Sequence, residues 1–143
     1  MDKRFWICGL VMSVAALLLG FIVHGLLLAP DYAALGAMFR GDDDSRHHVH
    51  WMVLAHVLIG FAMTWIYAQG FSDGRSSAMQ GLRFGVAIAL FSAIPGYLIY
   101  YAVQPLPAAL VAKQLVLGTI ATVLLGLLVA WLQPRRKVLA ELS

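Results

Sequence analysis

Three ionisable side chains fall inside apolar stretches of this sequence, and they come from three different stretches: His24, His56 and Lys113. Counted along a helix, His24 lies ~9 Å inside the end of its stretch at Pro30, and Lys113 lies as far inside the start of its own at Pro107. His56 sits at a similar depth in the stretch that follows that of His24. Ionisable groups at apolar depth are costly, so they turn toward a helix-bundle interior or a watery cavity and mark functional sites. Tyr32 and Tyr100 are candidate supports for such a site. The competing reading is structural. Lys113 can snorkel toward the nearer surface, and a neutral histidine can donate to a carbonyl one turn away or to Tyr97, Tyr100 or Gln104.

Two chemistries suit the pair of histidines. Axial imidazoles on facing helices at equal depth are what a six-coordinate b-type haem requires, with His24 and His56 as its ligands. Alternatively, His24, His56 and Lys113 together supply a titratable, electropositive vestibule for a proton or an anion. A second cluster runs from Asp42 to His50. There Asp42, Asp43 and Asp44 precede His47, His48 and His50, and imidazole and carboxylate are ligands for zinc, copper or nickel. His47 and His50 share a helical face and are the natural pair for one transition metal. The bland alternative is a solvated loop whose aspartates favour the start of the next helix.

Other chemistry is missing. The sequence has no Gly-rich phosphate loop, no Gly-x-Ser-x-Gly elbow and no His-Glu-x-x-His, and Glu141 is its one glutamate. The aspartates fall at the edges of the apolar stretches or between them, so none serves as a buried general acid or base. Cys8 stands alone, which excludes dithiol chemistry. These absences argue against an enzyme.

The elements that position these residues follow from composition. Of 143 residues, 62% are hydrophobic and 12% charged, with mean hydropathy +0.83, whereas soluble domains carry about 25% charged residues. The apolar stretches run from about 5 to 29, 49 to 70, 79 to 101 and 107 to 132. Each is long enough to cross a hydrocarbon core of about 30 Å as a helix. They are continuously apolar rather than alternating, so strands are not expected. The fold class is therefore all-α: one domain, a polytopic membrane protein built as a four-helix up-and-down bundle in a lipid bilayer.

Lys3 and Arg4 before the first stretch imitate a secretory signal, but the run is too long for one and lacks a small-x-small cleavage site before His24. An uncleaved anchor is expected. Lys3, Arg4, Arg75, Arg83, Arg135, Arg136 and Lys137 gather on one side, while Arg40 and Arg46 are offset by Asp31 and Asp42 to Asp44 on the other. The positive-inside rule then puts both termini and the Arg75 connection in the cytoplasm, and the 30–48 loop outside. Cations at helix ends suit lipid headgroups and not nucleic acid. Residues 32–39 read as a short helix lying along the outer surface.

Gly81 with Gly85, and Gly118 with Thr122 and Gly126, have the spacing that lets helices approach closely, more plausibly within the bundle than between copies. Pro95-Gly96 predicts a kink or local break in the third stretch.

His24-Gly25-Leu26-Leu27-Leu28 followed by Tyr32, Gly81-Leu82-Arg83-Phe84-Gly85, and Pro105-Leu106-Pro107 together resemble a group of small bacterial four-helix inner-membrane proteins without assigned function. The resemblance covers nearly the whole chain and implies the equivalents of His24, Tyr32, Arg83 and Gly85. Where that group tends to have Arg-Pro, this chain has Arg40-Gly41, and its histidine run is richer. The expectation is thus a multi-pass bacterial inner-membrane protein, a homo-oligomer or part of a larger membrane complex. Its leading function is an accessory or binding role centred on His24, His56 and Lys113. The alternatives are a haem electron carrier and an oligomeric transporter or channel whose path the Pro95-Gly96 break lines.

Overall fold

The computed structural model describes residues 3–70 and 76–133, apart from the side chains of Ala37 and Asp42. Arg75, Arg135, Arg136, Lys137 and Glu141 lie outside the described residues, so four of the seven cations gathered on one side rest on sequence. Every regular element among the described residues is helical. In chain order these are α1 (Lys3–Gly20), which continues as a π-helical segment (Phe21–Leu27), a short α2 (Ala29–Ala33) and a 3-10 turn (Gly36–Met38). They are followed by α3 (Asp42–Gln69), α4 (Ser77–Ile88), a second π-helical segment (Ala89–Ala93), α5 (Ile94–Val103) and α6 (Ala108–Leu132).

Four continuous helical stretches are long and apolar enough to cross a membrane: Lys3–Leu27, Asp43–Gln69, Ser77–Val103 and Ala108–Leu132. Three of them fall close to the expected limits. The second begins well before the expected 49, because the run from Asp42 to His50 is helical rather than part of a loop. Its acidic residues stand in the first turn, where the helix dipole favours negative charge. Polarity there had suggested a loop, but polarity reports depth and not helicity. The loop expected over 30–48 therefore shrinks and is itself partly helical, through α2 and the 3-10 turn.

Local signals set the other ends. The Ser76 hydroxyl accepts from the Met79 amide at 3.3 Å and caps α4. Pro107 precedes the first turn of α6 and Pro30 opens α2, positions where a missing N–H costs nothing. Upstream of Pro95 the third stretch shifts its register. The Ile94 amide reaches the Ala89 carbonyl five residues back, so the expected break at Pro95-Gly96 takes the form of a π-helical turn.

The helices pack as two intimate antiparallel pairs. In the first, Ser13 of α1 lies against Gly60 of α3, and Phe61 covers Gly9; a Cβ on either glycine would collide. Ser13 Oγ donates to Gly9 O at 2.7 Å and lies 3.3 Å from Val57 O across the interface. In the second pair, Gly81 and Gly85 of α4 interlock with Gly126 of α6, where an added Cβ would come within 2.5 Å of the Gly81 carbonyl. The small-residue spacing thus serves contacts within the bundle. The pairs meet mainly through α1 and α6, whereas α3 makes no extensive contact with α4 or α5.

Two apolar cores result. One gathers Cys8, Met12, Ala16, Met63, Tyr67, Leu125, Val129 and Ala130, and the other Val23, Leu28, Leu106, Leu110 and Val111. Between them the packing is interrupted. The outer surfaces stay apolar: Leu10 and Leu18 on α1, Leu58 and Trp65 on α3, Phe91 before α5 and Trp131 on α6 are all exposed.

Candidate functional site: a cavity with a tyrosine–histidine–tyrosine chain at one end

The interruption is a cavity of about 500 Å³ bordered by all four long helical stretches. That size is usual for a small-molecule site. Both π-helical segments contribute to its wall, Val23 and His24 from the first and Ser92 and Ala93 from the second. Such segments recur at functional sites because they turn one residue out of helical register.

The first of them builds the polar end. The Leu28 amide bonds the Val23 carbonyl at 2.9 Å, and the chain then folds into α2, with the Tyr32 amide on Leu28 O at 3.0 Å. This turn returns Tyr32 to the level of His24. Its hydroxyl meets His24 Nδ1 at 2.7 Å, and the two rings stack with centroids 6.0 Å apart. From the other side, the Tyr97 hydroxyl of α5 meets His24 Nε2 at 3.2 Å. Gln114 of α6, which is buried, donates through Nε2 to the Tyr32 oxygen at 3.1 Å. Four side chains from α2, the first π-helical segment, α5 and α6 form one hydrogen-bonded chain.

Its proton arrangement has two solutions. An amide nitrogen only donates, so the Tyr32 oxygen accepts from Gln114 in both. In the first, Tyr32 donates to Nδ1, the imidazole proton sits on Nε2 and donates to Tyr97, and the Tyr97 hydroxyl proton is left free. In the second, Nδ1–H donates to Tyr32, Tyr97 donates to Nε2, and the free proton belongs to Tyr32. A change of tautomer at His24 therefore moves the spare donor from the α2 side to the cavity side. Burial pushes the Tyr32 phenol up from its ordinary value; the Gln114 hydrogen bond opposes this and the nearby Asp31 charge adds to it.

His56 is anchored differently. Its Nδ1 donates to Met52 O at 2.7 Å, the carbonyl one turn back, and Nε2 lies where Gly20 has no side chain. A Cβ at Gly20 would come within 2.6 Å of that nitrogen. His24, His56 and Tyr100 all border the cavity. The two histidines thus share one site, but axial ligation of a haem requires both the Tyr97 hydroxyl and the Gly20 backbone to withdraw.

Lys113 is separate from the cavity. Its ammonium pairs with both carboxylate oxygens of Asp31, at 2.8 and 2.9 Å. Adjacent residues of α2, Asp31 and Tyr32, thereby hold adjacent residues of α6, Lys113 and Gln114. Sequence reasoning missed Asp31 and Gln114, and placed Tyr97 only among several partners for a histidine. Gln114 carried a signal of its own, as an amide beside a lysine inside an apolar helix.

The histidine run lies on the opening turns of α3. His48 Nδ1 donates to Asp44 O at 2.7 Å, Arg40 pairs with Asp44 at 2.6 Å, and the His50 ring lies 5.0 Å from that of Trp51. His47 and His50 remain on one face, with His48 turned about 100° from His47. Among the described residues, no three His, Cys, Asp or Glu side chains are gathered as a metal site; the Asp42 side chain lies outside them.

No protein-family model, curated protein or solved structure matches the chain.

Proposed function

We propose that this chain is a multi-pass membrane protein, an up-and-down bundle with both termini and the 71–75 connection on the cytoplasmic side, that binds a small molecule in its outer half. The bacterial inner membrane is the setting that the resemblance implies. The exposed apolar side chains support the membrane reading, since each large one left in water forgoes about 1.5–3 kcal/mol of burial. With Lys3 and Arg4 inside, the His24 end of the cavity falls in the outer leaflet.

A single observation carries the binding role: the cavity between the two cores ends on the Tyr32–His24–Tyr97 chain. Apolar walls with a few convergent polar groups are the usual form of a ligand site. Lys113 and Asp31 fasten α2 over that end, and the histidines act as hydrogen-bonding groups rather than as a catalytic centre.

Gly96 provides the test. It borders the cavity together with Tyr97 and Tyr100 of α5, and an added Cβ there meets nothing within 4 Å. Gly96→Leu should put a side chain into the cavity and obstruct it without disturbing the helix. Native mass spectrometry of protein released from its own membranes in mild detergent is expected to show a one-to-one adduct in the wild type and none in Gly96→Leu. Wild-type protein without an adduct, or equal adducts in both, contradicts the binding role.

A further inference from the structure

We infer that the cavity takes an uncharged isoprenoid quinone from the lipid phase, its ring at the Tyr97 and Tyr100 hydroxyls and its tail leaving between α3 and α5. The inference rests on the binding role just proposed and names the ligand.

Charge decides first. Among the described residues no aspartate, glutamate, lysine or arginine borders the cavity, and the nearby lysine is held by Asp31 outside it. An ion, a fatty-acid carboxylate or a phospholipid headgroup would meet only the His24 and His56 imidazoles there and no permanently charged group, a costly arrangement away from water. The occupant is neutral.

Hydrogen bonding decides next. Thr122 and Ser92 border the cavity but return their hydroxyl protons to their own helices, to Gly118 O at 2.8 Å and Ile88 O at 2.9 Å. His56 spends its N–H on Met52 O. The Tyr100 hydroxyl has no hydrogen-bond partner among the described residues, although the residue's carbonyl accepts from the Gln104 amide, and Tyr97 holds the spare proton of the His24 chain in one of its two tautomers. The site therefore offers two phenolic donors three residues apart on one helical face, and it suits a head whose oxygens accept. A quinone carbonyl does so without bringing a competing donor, and its flat ring suits a wall that includes tyrosine and imidazole rings.

Access decides the tail. The wall is open where α3 fails to pack against the second π-helical segment and α5: Ile59 on one side and Phe91 on the other both border the cavity, yet are 42% and 83% exposed. Below this opening, the Tyr67 and Phe84 rings, 5.3 Å apart, join α3 to α4. The opening is thus lateral, facing the acyl chains in the membrane reading, and its rim is apolar.

The test uses the full chain, delipidated in detergent and titrated calorimetrically with decylubiquinone, decanol and dodecanoate. Saturable one-to-one binding of decylubiquinone is expected. Decanol and dodecanoate should bind at least about tenfold more weakly, equivalent to about 1.4 kcal/mol. Tyr100→Phe should weaken decylubiquinone binding about fivefold or more while leaving the melting temperature unchanged, since that hydroxyl bonds nothing among the described residues. Gly96→Leu should abolish binding, with its melting temperature reporting that it folds. Dodecanoate or decanol binding as tightly as decylubiquinone, or undiminished decylubiquinone binding in Gly96→Leu, overturns the inference. A native adduct of non-quinone mass overturns the quinone assignment and leaves the binding role standing, whereas the absence of any adduct removes both.

Discussion

The Tyr97 hydroxyl reaches His24 Nε2 at 3.2 Å across 73 positions of sequence, while Tyr32, only eight residues from His24, takes the other ring nitrogen at 2.7 Å. The imidazole is thereby held from both sides, one contact local and one between helices. The local contact depends on the π-helical segment that turns α2 back on α1. The distant one ties the α1–α3 pair to the α4–α6 pair beside the cavity. One side chain thus joins the two halves of the bundle at the point where their packing is interrupted.

Tyrosine-to-phenylalanine substitutions should act with opposite sign at two sites. Tyr32→Phe removes a hydroxyl that bonds both His24 and Gln114 and leaves those groups unpaired, which should cost about 1–3 kcal/mol. Tyr67 is buried and its hydroxyl has no hydrogen-bond partner among the described residues. Tyr67→Phe should be neutral or stabilising by up to about 1 kcal/mol. Unfolding curves in detergent measure both; a destabilised Tyr67→Phe would point to a partner for that hydroxyl.

Alkaline titration tests the environment of Tyr32. Its phenol is raised in the folded chain, so its contribution to stability is fully present below the value of about 10 for an unfolded tyrosine and is lost as pH rises through the higher folded value. The stability of the wild type should therefore decline more steeply above pH ~10 than that of Tyr32→Phe. Parallel profiles would place Tyr32 in water.

The Asp31–Lys113 pair should contribute little by itself. The lysine side chain is 52% exposed and that of the aspartate 24%, so solvent screens the attraction. A double-mutant cycle with Asp31→Asn and Lys113→Met should give a coupling of about 1 kcal/mol or less, falling with added salt. A much larger, salt-independent coupling would mean that the pair is shielded from solvent.

Much of this arrangement was legible in the sequence. Long unbroken apolar runs required helices, and Pro95 marked where the third would change register. The depths of His24 and His56 brought them to one cavity, because depth along antiparallel neighbours is a one-dimensional quantity. The depth of Lys113 was also readable, but its partner was not, since Asp31 lies in a segment whose path depends on the π-helical turn at Phe21–Leu27. That turn shifts hydrogen bonds by a single residue and leaves no trace in composition. Gln114 and Tyr97 acquire their roles only through contacts between distant elements. The early start of α3 escaped because a helix running beyond an apolar stretch resembles a loop to any measure of hydropathy.

Glycines should divide sharply by location. Gly126→Leu forces a side chain into the backbones of Gly81 and Gly85, where close packing leaves no room to adjust. It should lower folded yield severely. Gly96→Leu enters open space and replaces glycine within a helix, so it should leave stability unchanged or raise it by about 0.5–1 kcal/mol. Comparable losses at both sites would mean that the space beside Gly96 is filled in the folded protein.

The proposed binding role requires the cavity to lie in the outer half of a membrane. Single cysteines at Gly36, after α2, and Gln69, at the end of α3, report it directly, because native Cys8 is only 2% exposed and should stay silent. A membrane-impermeant maleimide applied to intact cells should label Gly36→Cys, and should reach Gln69→Cys only after permeabilisation, with both proteins resisting extraction from the membrane by alkaline carbonate. Labelling of Gln69→Cys from outside, or release of the chain by carbonate, would contradict the account.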